Sequence, residues 1–270
     1  RQVRKLADKL SALPPDHIVV SLALGFYVTS SPATVRPAET PLRGRTLHVP
    51  LLYLGLLSRE EVDAVIGHEL AHFVGEDTEY SLRFVPIYDG VSRSLETLEQ
   101  TMMDSDLIQA WLMRPSFLFG VFFMQHFDHA VNRWSREREL LADAAGGCLA
   151  GNAAAASALL RISVLQTPVE DVLLAHCDTP VEGDVLNAAL AALHGQELQA
   201  PDEALETHQP HPTDSHPSNG ERLHALRVPW ADAMHSATRA VDAQAASLQI
   251  DALFSAAHSL REQLSRDLFA

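Results

Sequence analysis

Ser58-Arg59-Glu60-Glu61-Val62-Asp63-Ala64-Val65-Ile66-Gly67-His68-Glu69-Leu70-Ala71-His72-Phe73 is the stretch on which the reading of the chain turns. Serine followed three residues later by glutamate is a capping box, so a helix starts at Ser58. Val62, Val65, Ile66, Leu70 and Phe73 form an apolar stripe at helical spacing, which buries one face against a core. His68 and His72 lie four residues apart, on one face and one turn apart. Two neutral imidazoles so placed can share a zinc ion. Glu69 projects beside the metal rather than onto it, where it can take a proton from a water that the metal polarises. This H-E-x-x-H pattern is that of zinc peptidases. The spacing alone also occurs in helices with incidental histidines, so the rest of the chain must supply a third ligand.

A catalytic zinc takes three protein ligands and keeps one position open. Ser135-Arg136-Glu137-Arg138-Glu139-Leu140-Leu141-Ala142-Asp143 offers the third. Glu139 and Asp143 share a helical face. Glu139 can bind metal, and Asp143, one turn on, can accept a hydrogen bond from the free ring nitrogen of a bound histidine. A glutamate-rich helix is as readily a solvated face. Glu137 is the rival ligand, but it is out of register with Asp143.

Composition bounds the remainder. A chain of 270 residues with 47 % hydrophobic and 20 % charged residues can bury a full core. A net charge of −15 argues against a nucleic-acid partner, which needs a basic surface. Cys148 and Cys177 exclude a disulfide framework and read as free thiols in a reducing compartment. No signal peptide is visible after Arg1, and no uncharged run approaches the ~20 residues that span a bilayer. The nearest, Pro115 to Phe127, reads as a buried helix whose aromatics, with Trp134, belong to the core. A membrane-surface role is its alternative.

In order, Arg1 to Leu13 is a short helix ended by Pro14-Pro15. Ile18 to Val20, Gly25 to Thr29 and Gly44 to Pro50 read as strands, the last as an edge or a strand exit at Pro50. An edge beside a zinc-binding helix can pair with an extended substrate. Gly75 is a plausible helix stop, and Asp89-Gly90 reads as a turn. Helices are expected over Val91 to Met103, Asp104 to Met113, Pro115 to Arg138 (whole, or broken near Asn132), Ser135 to Ala150, Ala153 to Leu165 and Val181 to His194, with Thr167-Pro168 as a separator. Residues 195–220, rich in proline and holding His208, His211 and His216, read as a mobile loop. Glu221 to Val228 resumes a helix, and Ala231 to Ala270 gives one or two more.

Three separated pieces resemble the HtpX and CAAX-prenyl-protease family of membrane-associated zinc metallopeptidases. They are Val65 to His72 with Gly75-Glu76-Asp77, then Ser135-Arg136-x-x-Glu139-x-x-Ala142-Asp143, then His216-Pro217-x-x-x-x-Arg222. The resemblance implies His68, His72 and Glu139 as ligands of one zinc ion, and Glu69 as general base. It implies Asp143 as support for a ligand histidine, with Arg222 behind it. His216 would approach the metal, either stabilising the oxyanion or occluding the site as a fourth ligand. Members usually carry transmembrane helices beside the peptidase domain, so anchoring through a segment outside this chain is expected, with the domain facing the cytoplasm; a soluble cytoplasmic protein is the alternative.

The expectation is therefore a single α+β domain over 1–270, a mostly helical zincin-like peptidase with a small sheet whose edge strand flanks the active-site helix. Its parts are an N-terminal helix (1–15), a catalytic core (16–194), the loop (195–220) and C-terminal helices (221–270). Its partner is a polypeptide substrate, membrane-associated or misfolded. The rival expectation is a catalytically silent or autoinhibited zinc-binding relative acting as chaperone or regulator.

Overall fold

The computed structural model describes residues 1–35, 40–74, 77–178, 184–196, 198–199 and 217–267, with side chains described for these except at 77–85, 176–178 and 267. His216, the stop at Gly75, the side chain of Cys177 and most of the expected loop lie outside the described residues. The chain runs α1 (Gln2–Leu10), β1 (His17–Ser21), β2 (Tyr27–Thr29), β3 (Thr46–Pro50), α2 (Leu51–Leu56), α3 (Arg59–Val74), α4 (Asp77–Asp104), α5 (Leu107–Ala150), α6 (Asn152–Asp178) and α7 (Val185–Leu193). It then forms α8 (Asn219–Leu226), α9 (Trp230–Ala237), α10 (Ala243–Leu253) and α11 (Ala257–Asp267). The architecture is α+β and mostly helical, as the sequence predicts.

Among the described residues the sheet has the order β1-β3-β2, β3 pairing parallel with β1 and antiparallel with β2. Thr46 to Pro50 is therefore the central strand and not an edge. Its five residues are all buried, so both faces of this strand are covered as well as both of its edges. Pro50 is accommodated because it ends the strand and N-caps α2. The edge that flanks α3 is β2. The main core joins the sheet to α1, α2, α3, α6, α7 and α10 through fully buried Leu47, Leu51, Leu70, Leu165, Leu190 and Ile250. A smaller cluster ties α6 to α8 and α9 through Leu160, Leu223 and Leu226.

Arg161 is buried on α6 and donates to the carbonyls of Leu56, Ala237 and Arg239. It satisfies carbonyls at the C-terminal ends of α2 and α9 that a helix cannot pair itself. Burial, helped by the neighbouring Arg239, lowers its pKa to about 10, still well above neutrality.

The long helices depart from the sequence reading. Asp89-Gly90 is not a turn; α4 runs unbroken through Pro86 and Gly90. α5 runs unbroken past Pro115 and Asn132, and α6 runs through Pro168. A proline inside a helix costs about 3 kcal/mol and a glycine about 1. The pairing of α4 with α5 offsets that cost: Leu95 lies where a Cβ on Gly120 would be, and Tyr88 packs on Phe127 with ring centroids 6.1 Å apart. Only Ser105 and Asp106 join the two helices, and the Asp106 carboxylate caps α5 by accepting from the Ile108 and Gln109 amides at 3.0 and 2.9 Å. Nor is Pro115 to Phe127 a buried core helix. Leu118, Phe119, Phe122 and Phe123 are exposed, and Trp134 is only half-buried. The reason is topological: α4 covers one side of this segment, and no other described element covers the rest. The C-terminal region gives three helices, α9 to α11, where one or two were expected.

Candidate active site

The capping box fixes where α3 begins. The Ser58 amide donates to Glu61 Oε2 at 2.7 Å, and the Glu61 amide to Ser58 Oγ at 3.2 Å. Glu61 is buried and also accepts from Ser157 Oγ at 2.5 Å and from the Arg239 guanidinium. Burial raises its pKa, but the bonds from Arg239, Ser157 and the Ser58 amide outweigh that and hold it below the usual carboxylate value. Val62, Ile66, Leu70 and Phe73 face the core, leaving His68 and His72 on the side turned to α5.

Two glycines set how close α5 comes. A Cβ on Gly146 would stand 2.5 Å from the Ala64 carbonyl oxygen, and one on Gly67 would stand 2.6 Å from Leu149 Cδ1. The helices touch backbone to backbone next to His68. Glu139 and Asp143, both turned toward α3, are thereby brought to the histidines.

His68 Nε2 lies 3.3 Å from His72 Nε2 and 3.5 Å from Glu139 Oε2; His72 Nε2 lies 3.8 Å from Glu139 Oε1. All three side chains offer a ligand atom within 4.8 Å of the others. His68 Nδ1–H donates to Asp143 Oδ1 at 2.9 Å, so its tautomer leaves Nε2 with a lone pair aimed at the cluster. Two imidazole nitrogens and a carboxylate, oriented from behind by a second carboxylate, make a donor set that fits zinc.

Arg222, from the first turns of α8, donates Nε to Asp143 Oδ2 at 2.7 Å and Nη2 to Asp143 Oδ1 at 2.6 Å, and passes 3.7 Å from Glu139 Oε2. Burial opposes ionisation of Asp143, yet the bonds from Arg222 and His68 hold its pKa at about 2. Asp143 is thus a fixed anion. Glu69 is buried, and desolvation raises its pKa despite the nearby His68 and His72. A carboxyl shifted that way is a stronger base than a solvated one.

A cavity of about 320 Å³ opens beside His68 and Glu69, with Phe26, Leu159 and Ile162 as apolar wall and Gly25 at its rim. Gly25 and Phe26 lead into the edge strand β2. His48 holds that rim from the central strand. Its Nδ1–H donates to the Gly25 carbonyl at 2.8 Å, its Nε2 accepts from the Ser21 hydroxyl at 2.8 Å, and its ring stacks on Tyr27 at 4.6 Å. Sequence reading missed Gly25, Phe26 and His48 as site neighbours, because no spacing links them to α3. A histidine inside a strand of apolar neighbours was the one available signal.

The structure brings together His68, His72, Glu139, Asp143, Arg222 and Glu69. It leaves Glu137 outside, exposed and paired with Arg133 at 3.2 Å. His126 stands apart from this cluster, exposed and hydrogen-bonded to the Phe122 carbonyl of its own helix. His216 lies outside the described residues.

A helix bearing H-E-x-x-H, pressed against a second helix that supplies a glutamate to the same point, defines a metallopeptidase. Residues 45–229 match the sequence model of Peptidase family M48. The chain belongs to that family. No curated protein and no solved structure matches the chain.

Proposed function

We propose that this chain is a zinc-dependent metalloendopeptidase in which His68, His72 and Glu139 hold one zinc ion. The convergence of those three donors, with Asp143 behind His68, is the observation that carries the reading. When bound, zinc supplies a Lewis acid that polarises a carbonyl and lowers the pKa of water. Glu69, buried beside the ligands, takes the proton from the attacking water and delivers it to the leaving amine. Asp143 keeps His68 in the tautomer that presents Nε2, and Arg222 keeps Asp143 in place and ionised. The substrate is a polypeptide that lies extended along the β2 edge, its backbone pairing with the strand and a side chain filling the cavity beside Phe26. For His216, which lies outside the described residues, the two roles implied by the resemblance, oxyanion donor or occluding ligand, are separated by substitution. Replacing it by alanine lowers the rate in the first role and raises it in the second.

The reading extends to location. Action on membrane-associated or misfolded polypeptides, with the domain on the cytoplasmic side, is supported by the apolar α5 and by Cys148 as a free thiol. The test of function is hydrolysis of an unfolded protein by the zinc-loaded chain and by Glu69→Gln. The substitution lowers kcat by about 10²- to 10⁴-fold while zinc content stays unchanged. Proteolysis that survives it removes Glu69 from the mechanism. Wild-type protein that holds zinc and cleaves nothing supports a silent, binding relative instead.

A further inference from the structure

Gly25 stands at φ +91°, a backbone conformation that residues with a side chain rarely adopt, and a Cβ there would meet nothing within 4 Å. The glycine therefore serves the turn between β1 and β2 and not a close contact. It is also the residue type with the most freedom to lose on ordering, so its place depends on what ties it down. His48 is that tie. It is 3 % exposed, in the middle of the central strand, and paired in register with Tyr27 of β2. The Gly25 carbonyl can only accept, so the 2.8 Å contact puts a proton on Nδ1. Nε2 takes the Ser21 hydroxyl at 2.8 Å, and Ser21 Oγ in turn accepts from the Ala23 amide at 3.0 Å. The ring face lies against Tyr27, 4.6 Å between centroids and 17° from parallel. One side chain thus reaches the end of β1, the turn and the start of β2.

We propose that His48 is a positioning residue for substrate: it sets where residues 25–27, the start of the edge strand, stand beside Glu69. The proposal rests on the peptidase reading and adds how the polypeptide is held. Gly25 and Phe26 line the cavity opposite His68 and Glu69, so a shift of the turn changes the cavity's width and the start of the edge together. β2 is only three residues long, and its own ladder does little to fix the residues before it. An extended chain pairs with such an edge only if the edge already stands in place. Holding it there before substrate arrives removes an ordering cost from binding. Neighbouring Leu47 and Val49 belong to the apolar core. His48, on the opposite face of the same strand, spends both ring nitrogens and its ring face on the turn and the edge.

The test uses the zinc-loaded full chain carrying Glu69→Gln, so that binding is read without cleavage, with fluorescein-labelled casein as the probe and anisotropy as the readout. An asparagine amide nitrogen takes the place of Nδ1, and a glutamine one that of Nε2. His48→Gln loses the donor to Gly25 and weakens casein binding by about tenfold, whereas His48→Asn keeps it and stays within about threefold. Amide exchange over residues 22–27 quickens in His48→Gln and not in His48→Asn. With Glu69 restored, KM rises in the same order while kcat and zinc content hold. A role in the core alone makes both substitutions equally harmful, since each buries an amide at the same position. Asparagine as damaging as glutamine, or binding unchanged in both, overturns the proposal; so does a parent chain that binds no casein. Should neither His48 variant fold, Ser21→Ala decides, because it removes the Nε2 partner at a half-buried position. Binding weakened about threefold supports the proposal, and binding and exchange equal to the parent overturn it. The predicted order of binding without cleavage by the wild type leaves the proposal standing and removes the peptidase reading. Cleavage with a KM indifferent to His48 does the reverse.

Discussion

Asp143 accepts from His68 on one side and from both nitrogens of the Arg222 fork on the other. Replacing it with asparagine keeps the shape but removes the charge that fixes the His68 tautomer. Zinc affinity then falls by about 10- to 100-fold, measured by competition with a chromogenic chelator. Arg222→Ala has the same direction, because it leaves the buried Asp143 anion without its partner; affinity unchanged from the wild type in both variants would separate these residues from the metal. At this scale much of the site was legible. His68, Glu69 and His72 follow from one spacing, and Glu139 with Asp143 from another, because each set is local to one helix. The Asp143–Arg222 bond was not legible from spacing: the residues are far apart in sequence and meet only because α8 packs on α5. Gly25, Phe26 and His48 are harder still, since their relation to Glu69 is set by sheet pairing.

Elements are held to one another by close approach more than by side-chain volume at the site. The approach of Gly146 to α3 is the example next to the ligands, with the Ala64 carbonyl oxygen only 2.5 Å from where a Cβ on Gly146 would lie. That obstacle is backbone, so Gly146→Ala must push α5 off α3. It destabilises by about 1 to 3 kcal/mol, read by urea unfolding, and weakens zinc binding by separating Glu139 from the histidines. An unchanged zinc affinity would show that the two helices can part without moving the ligands. Helix existence was legible from periodicity, and the start of α3 from its capping box. Helix continuity was not. Pro86, Pro115 and Pro168 are breakers in sequence, but the α4–α5 pairing and the packing of α6 into the core keep the helices running. The strand's place in the sheet was open for a similar reason: Pro50 reads as an edge or as a strand exit, and the exit holds, because its position at the strand's last residue lets β3 be central.

For the molecule as a whole, Glu61 is a joint. It caps α3, binds Ser157 of α6 and pairs with Arg239 beyond α9. Its folded pKa lies below its unfolded one, so its contribution is fully present above the ordinary carboxylate value and is lost as pH falls through the depressed folded value. Melting temperature should therefore drop below about pH 4.5, and Glu61→Gln should lower stability near neutrality by about 3 kcal/mol while flattening that acid limb. A limb unchanged in Glu61→Gln would assign it to other carboxylates. The α+β class was legible in the sequence; the exposed α4–α5 hairpin was not, because a run of aromatics reads as core until the neighbours are known. All of this arrangement serves one claim, that α3 and α5 hold a single zinc between them. Elemental analysis of the purified chain and of Glu139→Ala tests it most directly. One zinc per wild-type chain, lost from the folded variant, is the predicted result; zinc retained at one per chain in Glu139→Ala would contradict it.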